Sequence, residues 1–228
     1  MRRQTAALPL GAILLCWAGA GLAQPARAES GEKSLEVTLE VKRGDAWQPT
    51  DPHAVLHAKD EIRFQFRSSS GGFLYVLNMS SSGKAEWLYP RPEQRQSNRI
   101  EAGSRYAIPG LDGSFSIGGD AGYDITYWVV SPTALEVREP APPAEVRPNT
   151  LRPRCGETLL KARGLCLDER AGPGPVPDLK KVPLPVDGNS AGLVSRDLSF
   201  HSQQDATRIA APDSSPGVIV YQFLIAHL

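Results

Sequence analysis

GGFLYVLNMSSSGKAEWLYP, residues 71–90, sets two apolar runs on either side of a Ser-Ser-Ser-Gly turn. In the first run Phe73, Tyr75, Leu77 and Met79 alternate with Leu74 and Val76, so an extended chain is apolar on both faces. Such a segment belongs inside a sheet that is covered from both sides. The second run is more mixed, because Lys84 and Glu86 keep one side wet near the turn. Ser80–Gly83 supplies the reversal that makes the pair a hairpin. Most of the stretch therefore reads as scaffold, and only Trp87 and Tyr89 stay open as surface candidates.

Working outward, SLEVTLEVKR (34–43) alternates strictly, with Leu35, Val37, Leu39 and Val41 on one side and Glu36, Thr38, Glu40 and Lys42 on the other. DEIRFQFRS (60–68) repeats that pattern with Ile62, Phe64 and Phe66 opposite Arg63, Gln65 and Arg67. A period of two with one polar face predicts half-buried strands. Shorter strands are predicted over 104–108 and 114–117, and a longer one over GYDITYWVVS (122–131). The last segment, GVIVYQFLIAHL, carries Ile219, Tyr221, Phe223 and Ile225 opposite Val218, Val220 and Leu224. Apolar on both sides, it is expected to return to the middle of the main sheet, along with 192–200.

Between these halves the composition changes. Eleven of the twenty prolines fall between Pro132 and Pro185, which keeps regular structure short. One or two helical turns are expected over 157–165, and polyproline-like connectors over 139–148 and 171–185. The expected architecture is all-β: an antiparallel two-layer sandwich, immunoglobulin-like or jelly-roll-like, with a proline-rich, disulfide-stapled insert. The expected organisation is an export signal over 1–28, a sandwich core over 29–131, a proline-rich excursion over 132–191 lying over the core's surface, and C-terminal strands over 192–228 that rejoin the core, with a separate C-terminal subdomain as the alternative.

Residues 1–28 read as the export signal because Arg2 and Arg3 precede a short apolar run, and Ala26 and Ala28 fit a small-residue cleavage pattern, with Ala23 as the alternative. Cys16 follows Leu15 rather than a small residue, so it reads as part of that leader and not as a lipidation site. Its removal leaves Cys155 and Cys166, an even number in an exported chain, which predicts a disulfide. The pair is spaced too widely for a redox C-x-x-C motif and cannot alone supply four zinc ligands.

The 25 basic and 25 acidic residues of the chain become 22 and 25 once Arg2, Arg3 and Arg27 leave with the signal. No basic stripe points to nucleic acid, and no polybasic cluster points to anionic lipid. No membrane span is expected after cleavage. The exported chain is expected in the periplasm or outside the cell.

DEIRFQFRSSSGGFLYVLNMSSSGKAEWLYP, NRIEAGSRYAIPG and GYDITYWVVSP follow one another in an order that resembles the domain-of-unknown-function 4384 family of bacterial envelope and signalling-associated β domains. The motifs are Gly72–Val76, Ser82-Gly83, Leu88–Pro90, Asn98–Gly103, Ile108-Pro109 and Ile125–Ser131. The resemblance covers about residues 44–131, and more loosely 192–228. It departs from the family's usual Gly-Asp before the amphipathic strand, where this chain has Lys59-Asp60. It implies an envelope protein partner and no established catalytic residues.

Specific chemistry is hard to assemble from the remaining residues. His53 and His57, flanked by Asp51 and Asp60, could chelate a metal on a helix, but the segment leads into a strand, where i and i+4 stand about 13 Å apart. No G-x-S-x-G elbow marks a hydrolase, and GLDGSFSIGGDAGYD (110–124) has no EF-hand spacing. No catalytic residue, metal ligand or cofactor is therefore assigned. The expected role is a non-catalytic envelope interaction or structural module. The alternative is a carbohydrate- or peptidoglycan-binding module stacking sugars on Trp87, Tyr89 and Trp128.

Overall fold

The computed structural model describes residues 32–91, 97–136, 151–155, 166–179, 193–195, 197–203, 205–212 and 217–228. The leader, the connector over 139–148 and the helical turns expected over 157–165 lie outside the described residues.

All regular structure among the described residues is extended, and it forms two sheets. The first is built around β1 (Lys33–Arg43) and β3 (Glu61–Ser68), which pair antiparallel from Leu35↔Ser68 to Val41↔Ile62. Beyond β1 lie β13 (Ala206–Ala211) and the edge strand β12 (Ser199–Gln203), with β2 (Ala46–Pro49) beside the later part of β1. Beyond β3 lie β7 (Arg105–Ile108) and β8 (Phe115–Ser116).

The second sheet centres on β9 (Gly122–Ser131), flanked by β4 (Gly72–Met79) and β14 (Val218–His227). On the β4 side β5 (Ala85–Tyr89) forms the edge, with β6 (Arg99–Ile100) beside the start of β4. On the other side β14 carries β10 (Gly172–Pro175) and, in parallel, β11 (Leu193–Val194). The C-terminal strand thus lies inside the sheet, paired with β9 from Ile219↔Val130 to His227↔Gly122.

The main core fills the space between the sheets. Leu35, Val37, Leu39 and Val41 of β1 and Ile62, Phe64 and Phe66 of β3 point into it, while their alternates face outward. Trp128 is fully buried at its centre, stacked on Tyr221 (5.8 Å between centroids, 16° between planes) and edge-on to Phe64 at 5.3 Å. Its indole Nε1–H donates to Thr126 Oγ1, so burying the ring strands no donor.

A second core lies on the opposite face of the second sheet. Tyr75, Leu77, Tyr127, Val129 and Val220 project there and are covered by Val176, with Leu135 and Leu179 packed against them. The Tyr75 hydroxyl ties this cover down: it donates to Leu135 O and accepts from Leu135 N–H at 2.6 Å. Part of the proline-rich connector thus differs from its expected polyproline form, because GPGP pairs with β14 as β10. The reason is positional. Alternate residues of a strand point their N–H groups to opposite sides, so Gly172 and Gly174 can donate inward while the N–H-less Pro173 and Pro175 face away. The strand therefore joins a ladder on one side and offers none on the other.

Two backbone details explain sequence choices in the hairpin region. A Cβ on Gly72 would stand 2.5 Å from Ser131 O, so the β4–β9 approach requires glycine there. Lys59, where the resembled family carries glycine, has φ +74°. That is the left-handed region in which a non-glycine residue is strained.

Candidate functional site

The three aromatics considered as a sugar-stacking surface do not share one. Trp128 lies in the inter-sheet core, and Tyr89 is 4% exposed there, edge-on to Phe66, with its hydroxyl donating to Ser97 O. Trp87 is half-buried on the opposite face, edge-on to Tyr75 at 6.4 Å. Strict alternation would have put Trp87 and Tyr89 on one side. A bulge in the β4–β5 ladder separates them: Leu77 faces Trp87 and Val76 faces Tyr89, leaving Leu88 as an extra residue that also turns inward. The proposed ligand surface is corrected accordingly: Trp128 and Tyr89 are core, and only Trp87 keeps partial exposure.

Neither histidine of the 51–60 segment builds a metal site. Asp51 Oδ1 accepts from the His53 backbone N–H at 2.9 Å and contacts its ring Nδ1 at 3.1 Å, an Asx-type turn closed on itself. Asp60 accepts from the His57 backbone N–H and from Arg43. Among the described residues no group of three or more His, Cys, Asp or Glu side chains is arranged to hold a metal ion.

The Cys155–Cys166 disulfide is formed, and it sits in a polar latch. Asp168, 3% exposed, accepts from the backbone N–H groups of Arg154 (2.7 Å) and Arg170 (2.9 Å), from the Arg170 guanidinium, and from the Tyr123 hydroxyl in a short hydrogen bond. Burial by itself would raise the Asp168 carboxyl. The hydrogen bonds from Arg170, Tyr123 and the two backbone donors outweigh it and hold the group well below the usual carboxylate range. Burial and the Asp168 hydrogen bond together push the Tyr123 phenol well up. Val55 N–H donates to Cys166 O, Asp168 N–H donates to His53 O, and a small core of Val55, Tyr123, Ala171 and Ala226 fills the space beneath. Beside the local bonds from Arg170, the bonds from Tyr123 and Arg154 to Asp168, from Asp168 N–H to His53 O and from Val55 N–H to Cys166 O join separate parts of the chain, so the latch's chemistry is that of a fastening.

A different arrangement stands at one end of the sandwich. Along three strands of the second sheet the inward positions change from apolar to polar towards the same end: Val76 to Asn78 to Ser80, Leu88 to Glu86, and Trp128 to Thr126 to Asp124. Pairing aligns them, because Asn78 lies opposite Glu86 on one side and Thr126 on the other. The facing wall from the first sheet is mostly apolar, with Ile62, Phe64, Phe115 and Ile117 and with Ser114 and Ser116 between them in the chain. Together they line an open cleft of about 420 Å³, within the size range of small-ligand sites. Arg91 stands at its rim with its guanidinium 5.5 Å above the Phe115 ring.

The carboxylates of this wall are held differently. Asp124 Oδ1 accepts from the Ser81 backbone N–H at 2.7 Å and has the buried His227 Nε2 at 3.4 Å. Glu86 meets Lys84 at 3.4 Å, with both side chains more than half exposed. Sequence reading noticed the wet side at Lys84 and Glu86 but did not connect it with Asn78 and Asp124. The available signal was that Asp124, Thr126 and Trp128 lie on one face of a strand whose opposite alternates from 123 to 129 are Tyr, Ile, Tyr and Val.

The fold and this site together describe an all-β two-sheet protein with a disulfide and an end cleft of mixed polarity. The segment 55–134 matches the family model described as Domain of unknown function (DUF4384). That segment runs from the approach to β3 through β9, and it includes the cleft residues of β3, β4, β5, β8 and β9. The looser likeness over 192–228 falls outside the matched segment, although β13 and β14 complete the two sheets. No curated protein and no solved structure matches the chain. Among the described residues no helix is long and apolar enough to cross a membrane.

Proposed function

We propose that this chain is an exported, non-catalytic interaction module of the bacterial cell envelope, and that it engages a protein partner at the end cleft. The leader-like sequence over 1–28 and the disulfide support an oxidising compartment outside the cytosol. The observation that carries the cleft's role is its polarity split, a mostly apolar wall from one sheet facing a polar wall from the other. The two outer faces are poorer candidates. One is closed by the chain's own cover, and the other spends its charges on internal pairs such as Arg63–Glu40 and Arg67–Glu36. The sugar-stacking alternative loses its support with Trp128 and Tyr89 in the core.

Site-specific photocrosslinking in intact envelopes tests this. A photoreactive residue at Ser116, on the cleft, is expected to give a discrete protein adduct, whereas one at Thr38, on the outer face of the first sheet, gives none. Equal labelling from both positions, or adducts to polysaccharide alone, would overturn it.

A further inference from the structure

We infer that the end cleft is built for an aliphatic ammonium group, a lysine-type side chain presented by the protein partner. This deepens the reading of the cleft as the contact and rests on it.

A lysine side chain has two parts with different needs: an apolar stem that gains by leaving water, and an ammonium that must keep hydrogen-bond acceptors. The cleft offers the two side by side. The half-buried Phe115 gives the stem its wall, backed by the buried Ile62, Phe64 and Ile117, and Leu88 and Ile225 lie buried at the base of the other. Asn78, Glu86 and Asp124 supply side-chain oxygens on the second wall, and all three positions are neighbours or near neighbours across β5, β4 and β9.

The charge balance favours a cation. Within the lining, Glu86 and Asp124 are acidic and Arg91 is basic, a net charge of −1 before Lys84, which pairs with Glu86 from outside the lining and which an incoming ammonium would displace. Arg91 is held at the rim over Phe115. Asp124's contacts among the described residues both fall on Oδ1, which leaves Oδ2 for a new donor. Glu86's pair with Lys84 is solvent-exposed and long, and such pairs are worth little and exchange readily. An uncharged apolar ligand would instead cover Asp124 Oδ2 and the Asn78 amide and offer them no hydrogen bond, which is costly. A carboxylate would meet two like charges.

The test is amide chemical-shift titration of the oxidised chain with Nα-acetyl-lysine methylamide. Two controls go beside it: the norleucine analogue, with a comparable stem and no charge, and the Nε-acetyl-lysine analogue, with the stem and a neutral end. Saturable shifts at Asn78, Glu86, Ser116 and Asp124 are expected for the lysine probe alone, weakened about tenfold by Glu86→Gln and by added salt. Glu86 is exposed, so that variant keeps the fold. Equal shifts with norleucine, or no saturable shift with lysine, would overturn the assignment. A Ser116 protein adduct without lysine binding would sink the cation while leaving the interaction reading in place. Lysine binding without any adduct would do the reverse.

Discussion

The outer faces of the two sheets are made by opposite means. On the first sheet, Glu36, Thr38 and Glu40 of β1 and Arg63, Gln65 and Arg67 of β3 share the outer face, where Arg63 and Gln65 donate to Glu40 and Arg67 donates to Glu36. Arg63 and Glu40 are nearly buried under this surface, with the Arg63 guanidinium 4.4 Å from the Trp47 ring and donating to Leu111 O. On the second sheet the corresponding positions are Tyr75, Leu77, Tyr127, Val129 and Val220, and a later part of the same chain lies over them. A sheet can leave one face wet by alternating its residues, or it can be apolar on both faces and bring its own cover. This chain does one on each side.

That difference can be broken most forcefully by placing the same charge on each face. Val129→Lys puts an ammonium under the cover and is expected to cost more than about 3 kcal/mol or to prevent folding. Thr38→Lys on the open face is expected to change stability by less than about 0.5 kcal/mol. Urea denaturation of both variants checks the pair, and similar costs would show that the faces are not distinct.

The cover's fastening gives the next effect. Replacing Cys155 and Cys166 together by serine is expected to lower stability by about 3 kcal/mol, since the bond closes a loop of 11 residues' separation. Thermal or urea denaturation of the double variant against the oxidised chain measures it.

Asp168 makes the same fastening sensitive to acid. Its carboxyl titrates lower in the folded chain than in the unfolded one, so its stabilisation is fully present above the unfolded value of about 4 and is lost as pH falls towards the folded value. Asp168→Asn should therefore destabilise the protein at pH 7 and flatten the fall in stability between about pH 4 and pH 2. An unchanged acid slope in denaturation curves across that range would remove Asp168 from the latch.

The smallest effect is expected where a single hydroxyl holds the cover. Tyr75→Phe removes both hydrogen bonds to Leu135 and is expected to cost about 1 kcal/mol, read as a lower urea midpoint at unchanged slope. Gln65→Ala is the matching control on the open face.

The contrast between faces was legible in the residues, because alternation in 34–43 and 60–68 differs from the doubly apolar runs at 72–79 and 218–227. The covered strands announced that something must lie over them, and the proline-rich excursion was the segment expected there. GPGP carries no hydrophobic period and reads as a connector, although two glycine donors suffice to make it an edge strand. Strand β13, ATRIAA, is short and small-residue rich, so its place beside β1 appears only when the sheet is assembled. The candidate site was less legible than the fold. The bulge at Val76/Leu77 breaks the alternation on which the pairing of Trp87 with Tyr89 rested. The cleft depends on inward polar residues from three strands that alternation could place on a face but could not bring to one end.

Hydrogen–deuterium exchange of the oxidised and the disulfide-reduced chain tests most directly whether the second sheet is sealed by its own chain. Reduction is expected to speed exchange at Val55, Tyr123, Ala171, Gly172, Gly174 and Ala226, while the paired amides of β1 and β3 keep their protection. Equal loss of protection in both sheets, or none beside the disulfide, would contradict it.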